Sequence, residues 1–345
     1  LNNLIQPKSH EKMVTKIGLI GCGRAAEINY LSALKKFPDF KVVAVVDPIK
    51  ERRELLSRKL NNCIRYSSIE TTSTSGGLGF FDQIDVGIIT SPPNTHILLA
   101  SELLKWDKYV LVEKPLAPST EGIKELISIE SSSKASLMMG FNCRYWKPVI
   151  DLKGKLLKKQ KIYLVEMIFT SNYSKWKPVS FTSDPLDDLG PHVFDLIRYI
   201  FNKDIVSISA NNSGIDELKV KIKIPEENQI LCRIAHCRES IRSIKVVSKA
   251  EKYLITLKSE RISSGYKNVA KLIDLADRVK RKIQRKASPI KNTYEEQLKS
   301  FFNYIRLNRP PYPNIKDGVK AILAVEAARE SIRNNGREIS LNEIK

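Results

Sequence analysis

Apolar and polar positions change period along this chain, and the changes divide it. Up to Gly140, short unbroken apolar runs alternate with stretches at helical spacing. Ile17, Leu19 and Ile20 read as a buried strand, and residues 41–47, 64–66, 85–90, 109–113 and 136–140 read as further strands. Between them, Ala26, Tyr30, Ala33, Leu34 and Phe37 recur at helical spacing, residues 51–60 form a helix, and another runs through Ala100, Leu103 and Leu104. Strands apolar on both faces that alternate with helices predict α/β architecture, with a doubly wound parallel sheet. Past Gly140 the pattern turns. Residues 162–169 form a strand, and Leu218-Lys-Val-Lys-Ile-Lys-Ile224 alternates apolar and basic residues at period two, as a half-solvated antiparallel strand does. A turn at 225–228 returns into 229–237, and β segments at 241–247 and 253–257 complete a meander rather than βαβ units. The boundary therefore falls near Gly140, giving a tail at 1–13, a first domain at 14–140 and a second at 141–345. Residues 294–307 and 316–334 are helical, the latter closed by Gly336, but the pattern does not say on which domain they pack.

Candidate chemistry concentrates at the strand ends. After the first strand, Gly21-Cys22-Gly23-Arg24-Ala25-Ala26 leads into a helix. Gly21 permits the tight turn, Gly23 lets backbone N–H groups approach a pyrophosphate at the positive helix N-terminus, and Ala26 allows close helix–strand packing, with Arg24 beside them. The second strand ends in Asp47, about twenty residues on, where a carboxylate accepts hydrogen bonds from the adenine-ribose hydroxyls. NAD is the expected cofactor. Arg52 and Arg53 keep NADP open, although Asp47 would repel a 2′-phosphate. In a doubly wound sheet the strand ends line the ligand crevice, which places Thr90, Pro92, Asn94, His96 and Glu113 beside the cofactor. Two prolines hold the turn at 91–96, and Asn94 suits the helix N-cap. Lys114 stands between Glu113 and Pro115 at the end of an apolar strand, a poor place for an ornamental surface lysine.

Charge and cysteine usage narrow the class. The 345 residues hold 58 Lys and Arg against 38 Asp and Glu, a formal charge of +20, which attracts anions. Zinc-finger spacing and RNP-like motifs are lacking, so the expected anions are the cofactor and phosphorylated or nucleotide-linked substrates, not nucleic acid. Five scattered cysteines make no disulfide framework and fit a reducing cytoplasm. Cys232 and His236 face one way on a strand and Cys237 the other, so no metal site is expected there. No run is long enough to span a bilayer. Residues 71–79 read as a polar surface insertion. The basic amphipathic stretch 266–287 reads as a solvated face over a domain core in preference to a membrane or acidic-partner surface.

The segments GLIGCGRAAEI, VVDP, IITSPPNTH, VLVEKPLA, MMGFNCRYWKP, DDLGPHVFDL and YEEQLKSFFNYI together resemble the Gfo/Idh/MocA oxidoreductase family, from about residue 14 to 335. The resemblance implies a Rossmann domain followed by an α/β domain with a large, mostly antiparallel sheet. It also implies hydride transfer between a nicotinamide and a hydroxyl-bearing carbon of a sugar, cyclitol or nucleotide sugar. The family's acid/base pair corresponds to Asp188 and His192. Four residues apart, these share a face if the segment is helical, although Gly190-Pro191 suggests that 188–190 form the approach and that Pro191 lies in the first turn. Imidazole takes a hydroxyl proton near neutral pH, Asp188 and Lys114 hold that hydroxyl, and Asp195 supports the fold or orients His192. Asn142, Arg144 and Tyr145 are expected to grip the substrate, with Trp176 a weaker candidate, and Arg144 could fork onto a phosphate or carboxylate. The leading reading is a cytoplasmic sugar or nucleotide-sugar dehydrogenase, a homo-oligomer through the second sheet. The alternatives are an inositol or simple sugar dehydrogenase, an NADPH-dependent ketosugar reductase, and a non-catalytic NAD(P)-sensing regulator. Trp106-Asp107 departs from the family's usual glycine turn before the fifth strand.

Overall fold

The computed structural model describes residues 14–70, 79–156, 162–172, 184–226, 229–238, 240–248, 252–256, 263–264 and 289–344. The expected tail, the insertion apart from Gly79, Trp176 and the basic stretch 266–287 lie outside the described residues.

The alternating first part folds as β1 (Thr15–Ile20), α1 (a π-helical Ala26–Tyr30 continuing as α-helical Leu31–Leu34), β2 (Phe40–Val46), α2 (Lys50–Lys59), β3 (Ile64–Tyr66), α3 (Phe80–Gln83), β4 (Val86–Ile89), α4 (His96–Lys105), β5 (Tyr109–Glu113), α5 (Ile123–Ser132) and β6 (Leu137–Gly140). The six strands are parallel in the order β3-β2-β1-β4-β5-β6. Strand order reverses between β1 and β4, which opens a crevice at their C-terminal ends. One expectation fails in this part. A 3-10 turn (Pro93–Thr95) precedes α4, so Thr95 occupies the N-cap position and Asn94 is exposed.

A 3-10 turn (Asn142–Tyr145) and α6 (Lys147–Leu156) lead to β7 (Ile162–Ser171), α7 (Pro185–Phe201), β8 (Ser207–Gly214), β9 (Glu217–Lys223), β10 (Ile230–His236), β11 (Arg242–Ser248), β12 (Lys252–Thr256), β13 (Ser263–Ser264), α8 (Pro289–Leu307), α9 (Ile315–Arg333) and β14 (Ile339–Ser340). Their sheet runs β13-β12-β11-β7-β10-β9-β8-β14. It is mostly antiparallel but no simple meander, because β7 lies between β11 and β10 and is parallel to β10. On β9, Leu218, Val220 and Ile222 are buried while Lys219, Lys221 and Lys223 are exposed, as the period-two pattern requires. The buried face carries α7, whose Leu189, Val193, Phe194 and Ile197 pack with Val165, Met167, Phe169, Ile234 and Val246. Each such fully buried side chain contributes roughly 1.5–3 kcal/mol.

The last two long helices serve both parts. From α8, Leu298, Phe301 and Phe302 enter the core of the parallel sheet with Ile17, Leu19 and Tyr30, and Phe302 stacks on Phe40 with ring centroids 3.7 Å apart. On α9, Ile315, Ala321 and Ile322 join a core with Leu137 and Met139, whereas Ala324, Val325, Ala327 and Ala328 join the core around α7. One helix thus seals two cores and fixes their mutual placement.

Candidate active site

The glycine turn is built for a backbone-lined cradle. Gly21 has φ +91°, and a Cβ there would lie 2.5 Å from Ser91 N and 2.7 Å from Ser91 Cα, so glycine alone fits. Thr90 Oγ1 donates to Gly21 O at 2.7 Å and ties the loop after β4 to the turn. A Cβ on Gly23 would meet nothing within 4 Å: the space before the N-terminus of α1 is open. Ala26 is fully buried, Arg24 is exposed, and Pro92 is exposed at the rim beside Asn94. Asp47 Oδ2 accepts from Cys22 N and its Oδ1 from Ile49 N, each at 2.8 Å. Each oxygen keeps a further lone pair for a ribose hydroxyl. Arg53 donates to the carbonyls of Asp47 and Pro48 at 3.0 and 3.1 Å, so its guanidinium is engaged with main chain. Open space before a helix N-terminus, flanked by a fixed carboxylate, fits a dinucleotide.

Two residues expected at the cofactor are turned inward instead. His96 is 1% exposed, with its ring nitrogens 2.8 Å from the carbonyls of Pro115 and Ser91. Burial lowers its pKa, and the neutral ring donates to only one of them, pinning the loop after β4 to the turn that follows Lys114. Glu113 accepts from the Tyr30 hydroxyl at 2.7 Å and from Lys114 N at 3.1 Å, while Gln297 on α8 donates to the same hydroxyl at 2.9 Å. Burial pushes the Glu113 carboxyl up. Glu113 is a strut between β5, α1 and α8.

Lys114 reaches the other way, across to the second part of the chain. Its Nζ donates to Asp188 O at 2.8 Å and pairs with Asp188 Oδ1 at 3.3 Å, with the lysine side chain 16% exposed. Asp188 and His192 do share one face of a helix, but the approach is not where the sequence suggested. Asp184 caps α7, accepting from Leu186 N at 2.8 Å, Pro185 occupies the first turn, and Pro191 lies inside the helix. Asp188 also meets His236 Nε2 at 3.3 Å and the Ser171 hydroxyl at 3.4 Å. Burial alone would push its carboxyl up, but Lys114, the His236 hydrogen bond and Arg242 hold it well below the usual carboxylate range. His192 is 7% exposed, and its Nδ1 is buried with no hydrogen-bond partner. Burial first, then the charges of Lys114 and Arg242, push its pKa well below 6.5 against the pull of Asp188. The imidazole is neutral and can accept a proton.

The three residues expected to grip substrate make structural contacts. Asn142 donates to Thr293 Oγ1 at 2.9 Å inside the core. Arg144 is 3% exposed and forks onto Asp195 at 2.9 and 2.6 Å, with Asp317 at 2.9 Å. Tyr145 donates to the Tyr312 carbonyl at 3.1 Å. The arginine fork serves two carboxylates of the chain itself, and Asp195 supports the fold. The residues that sequence reasoning missed are Ser171, His236 and Arg242. Their signal was positional: all three lie at the same end of three adjacent central strands, β11, β7 and β10. Among the described residues no group of His, Cys, Asp and Glu could hold a metal, and no helix is long and apolar enough to cross a membrane.

Comparison with known proteins assigns the two parts of the chain to one family. Residues 15–141 match a model described as an oxidoreductase family with an NAD-binding Rossmann fold, and residues 165–341 match the same family's C-terminal alpha/beta domain. The chain is 23% identical to myo-inositol 2-dehydrogenase of Thermotoga maritima, over 95% of this chain and 99% of that one. It is 27% identical to inositol 2-dehydrogenase of Rhizobium meliloti over 57% of this chain, a match that spans 58% of the relative's length. The WlbA dehydrogenase of Bordetella pertussis, solved with NADH and UDP-GlcNAcA, superposes with a TM-score of 0.76 at 16% identity, over 95% of this chain and 97% of that one. At that identity the likeness is one of fold.

Proposed function

Because the chain belongs to the Gfo/Idh/MocA oxidoreductase family, we propose that it is an NAD-dependent dehydrogenase acting on a secondary hydroxyl of a ring polyol, namely a sugar, a nucleotide sugar or a cyclitol such as inositol. The observation that carries this reading is the contact of Lys114, from the parallel sheet, with Asp188, one helical turn before His192. Named relatives that act on inositol support the substrate class.

Gly21, Gly23, Ala26, Thr90 and Asp47 hold the dinucleotide, with Arg24, Pro92 and Asn94 at its rim. When bound there, the nicotinamide supplies the hydride acceptor. Neutral His192 takes the proton of the reacting hydroxyl, and Asp188 stabilises the imidazolium that results. Lys114 donates to the same hydroxyl oxygen and stabilises the charge that develops on it in a site largely closed to water. Ser171 and His236 fix the Asp188 carboxylate, and Asp188 in turn aims the lysine. In the reductive direction His192 returns the proton.

The test is NADH formation by the purified protein on a panel of glucose, glucose 6-phosphate, myo-inositol and UDP-sugars, with NAD and with NADP. Turnover of at least one member, faster with NAD, is expected. A protein that binds NAD and turns over none of them contradicts the reading.

A further inference from the structure

In the second sheet, β11 lies between β12 and β7 and begins with Arg242, directly opposite Phe169 on β7 in antiparallel register. Two residues along β7, Ser171 lies opposite His236 on β10. Residues directly opposite each other, and residues two apart on a strand, share a face of the sheet. Arg242 therefore projects to the face on which Ser171 and His236 reach Asp188. Its guanidinium lies over the Phe169 ring, 5.5 Å from the centroid, and among the described residues it has no carboxylate partner. The contrast with Arg144, locked between Asp195 and Asp317, is complete.

The site's charge balance points the same way. Lys114 is matched by Asp188, and Glu113, the other nearby carboxyl, is turned away onto Tyr30. Arg242 is left as a half-buried cation with its charge felt at Asp188, His192 and Cys143. A guanidinium anchored on an aromatic face has its planar fork free to take two acceptors at once, and leaving it without a counter-ion is costly unless a ligand brings one.

We propose that Arg242 binds a phosphate or carboxylate substituent of the ring substrate, so that this dehydrogenase acts on a sugar phosphate or sugar acid in preference to a neutral polyol. This inference rests on the dehydrogenase reading for its context but is tested separately from it. In this role Arg242 positions the ring while Lys114, Asp188 and His192 act on the hydroxyl.

The experiment compares glucose 6-phosphate and glucuronate with glucose in intact protein, Arg242→Gln and Arg242→Lys. Turnover is measured with NAD, and binding is measured by calorimetry on NADH-loaded protein. The intact protein should favour one of the two anionic sugars over glucose by about tenfold to a hundredfold, the worth of a charge-assisted hydrogen-bonded pair. Arg242→Gln should abolish that ratio chiefly through KM, and Arg242→Lys should restore part of it. If anion binding is present and lost in Arg242→Gln while no sugar is oxidised, the anion site stands and the dehydrogenase reading fails. Three results overturn the anion site: no preference for anionic sugars in either turnover or binding; a preference unchanged in Arg242→Gln; or loss of NAD affinity in Arg242→Gln in place of substrate selectivity, which would assign the arginine to a cofactor phosphate.

Discussion

At Gly21 the main chain has φ +91° and touches the backbone of Ser91, whereas at Gly23 a side chain would point into open space. The two glycines therefore answer to different demands, one to the fold and one to the ligand. Gly21→Ala should destabilise the protein by about 1–3 kcal/mol, from left-handed strain and the backbone clash, which thermal melts without cofactor will show. Gly23→Ala should leave that melting temperature nearly unchanged and weaken NAD binding by about tenfold or more, read by calorimetry. Residue type was legible here because a tight turn and a helix N-terminus are demands of the local chain, whereas the close approach of Ser91 to Gly21 was not legible. Arg144 shows the opposite case. Its fork geometry was legible, but its partner Asp195 lies 51 residues away in sequence, and nothing local distinguishes an arginine that grips substrate from one that grips its own chain. Arg242 carried no mark beyond its place at the start of a β segment, because the strands beside it were not legible.

Among the elements, α7 decides where the reacting groups meet. Read from the sequence, Gly190-Pro191 supplied the start signal, with Pro191 suited to a first turn; the pair Asp184-Pro185, six residues earlier, was not recognised. The structure uses the earlier one and carries Pro191 inside the helix. Pro191 has no N–H to give the Asp187 carbonyl, a loss tolerated inside a helix packed on three sides. The earlier start puts Asp188 in a hydrogen-bonded turn, where its side chain and main-chain carbonyl both reach Lys114. Asp184→Ala should cost about 1 kcal/mol of stability, the usual worth of an N-cap. It should also lower kcat, because the turn that holds Asp188 frays. Asp184→Ser, which caps equally well, should restore both, and melts together with steady-state rates check this.

Over the whole molecule, the alternating apolar runs and the period-two strand were enough to read a parallel sheet followed by a mostly antiparallel one, since each pattern reflects which faces are buried. The placement of α8 and α9 was not legible, because an apolar stripe says that a helix is buried and not against what. The structure shows α8 on the parallel sheet and α9 shared between both cores. The buried carboxylates Asp195 and Asp317 close on Arg144, and Arg198 joins Asp317 at 2.9 Å. These long-range contacts tie α7, which carries Asp188, to α9 and to the turn after β6, and the proposed chemistry depends on the meeting of Asp188 with Lys114. The most direct measurement is the rate of the hydride-transfer step in Lys114→Ala and His192→Ala, followed by rapid mixing, with NAD affinity determined on the same samples. The rate should fall by about a hundredfold to ten-thousandfold in each variant while NAD affinity stays as in the intact protein. Hydride transfer at the intact protein's speed in either variant would contradict the assignment.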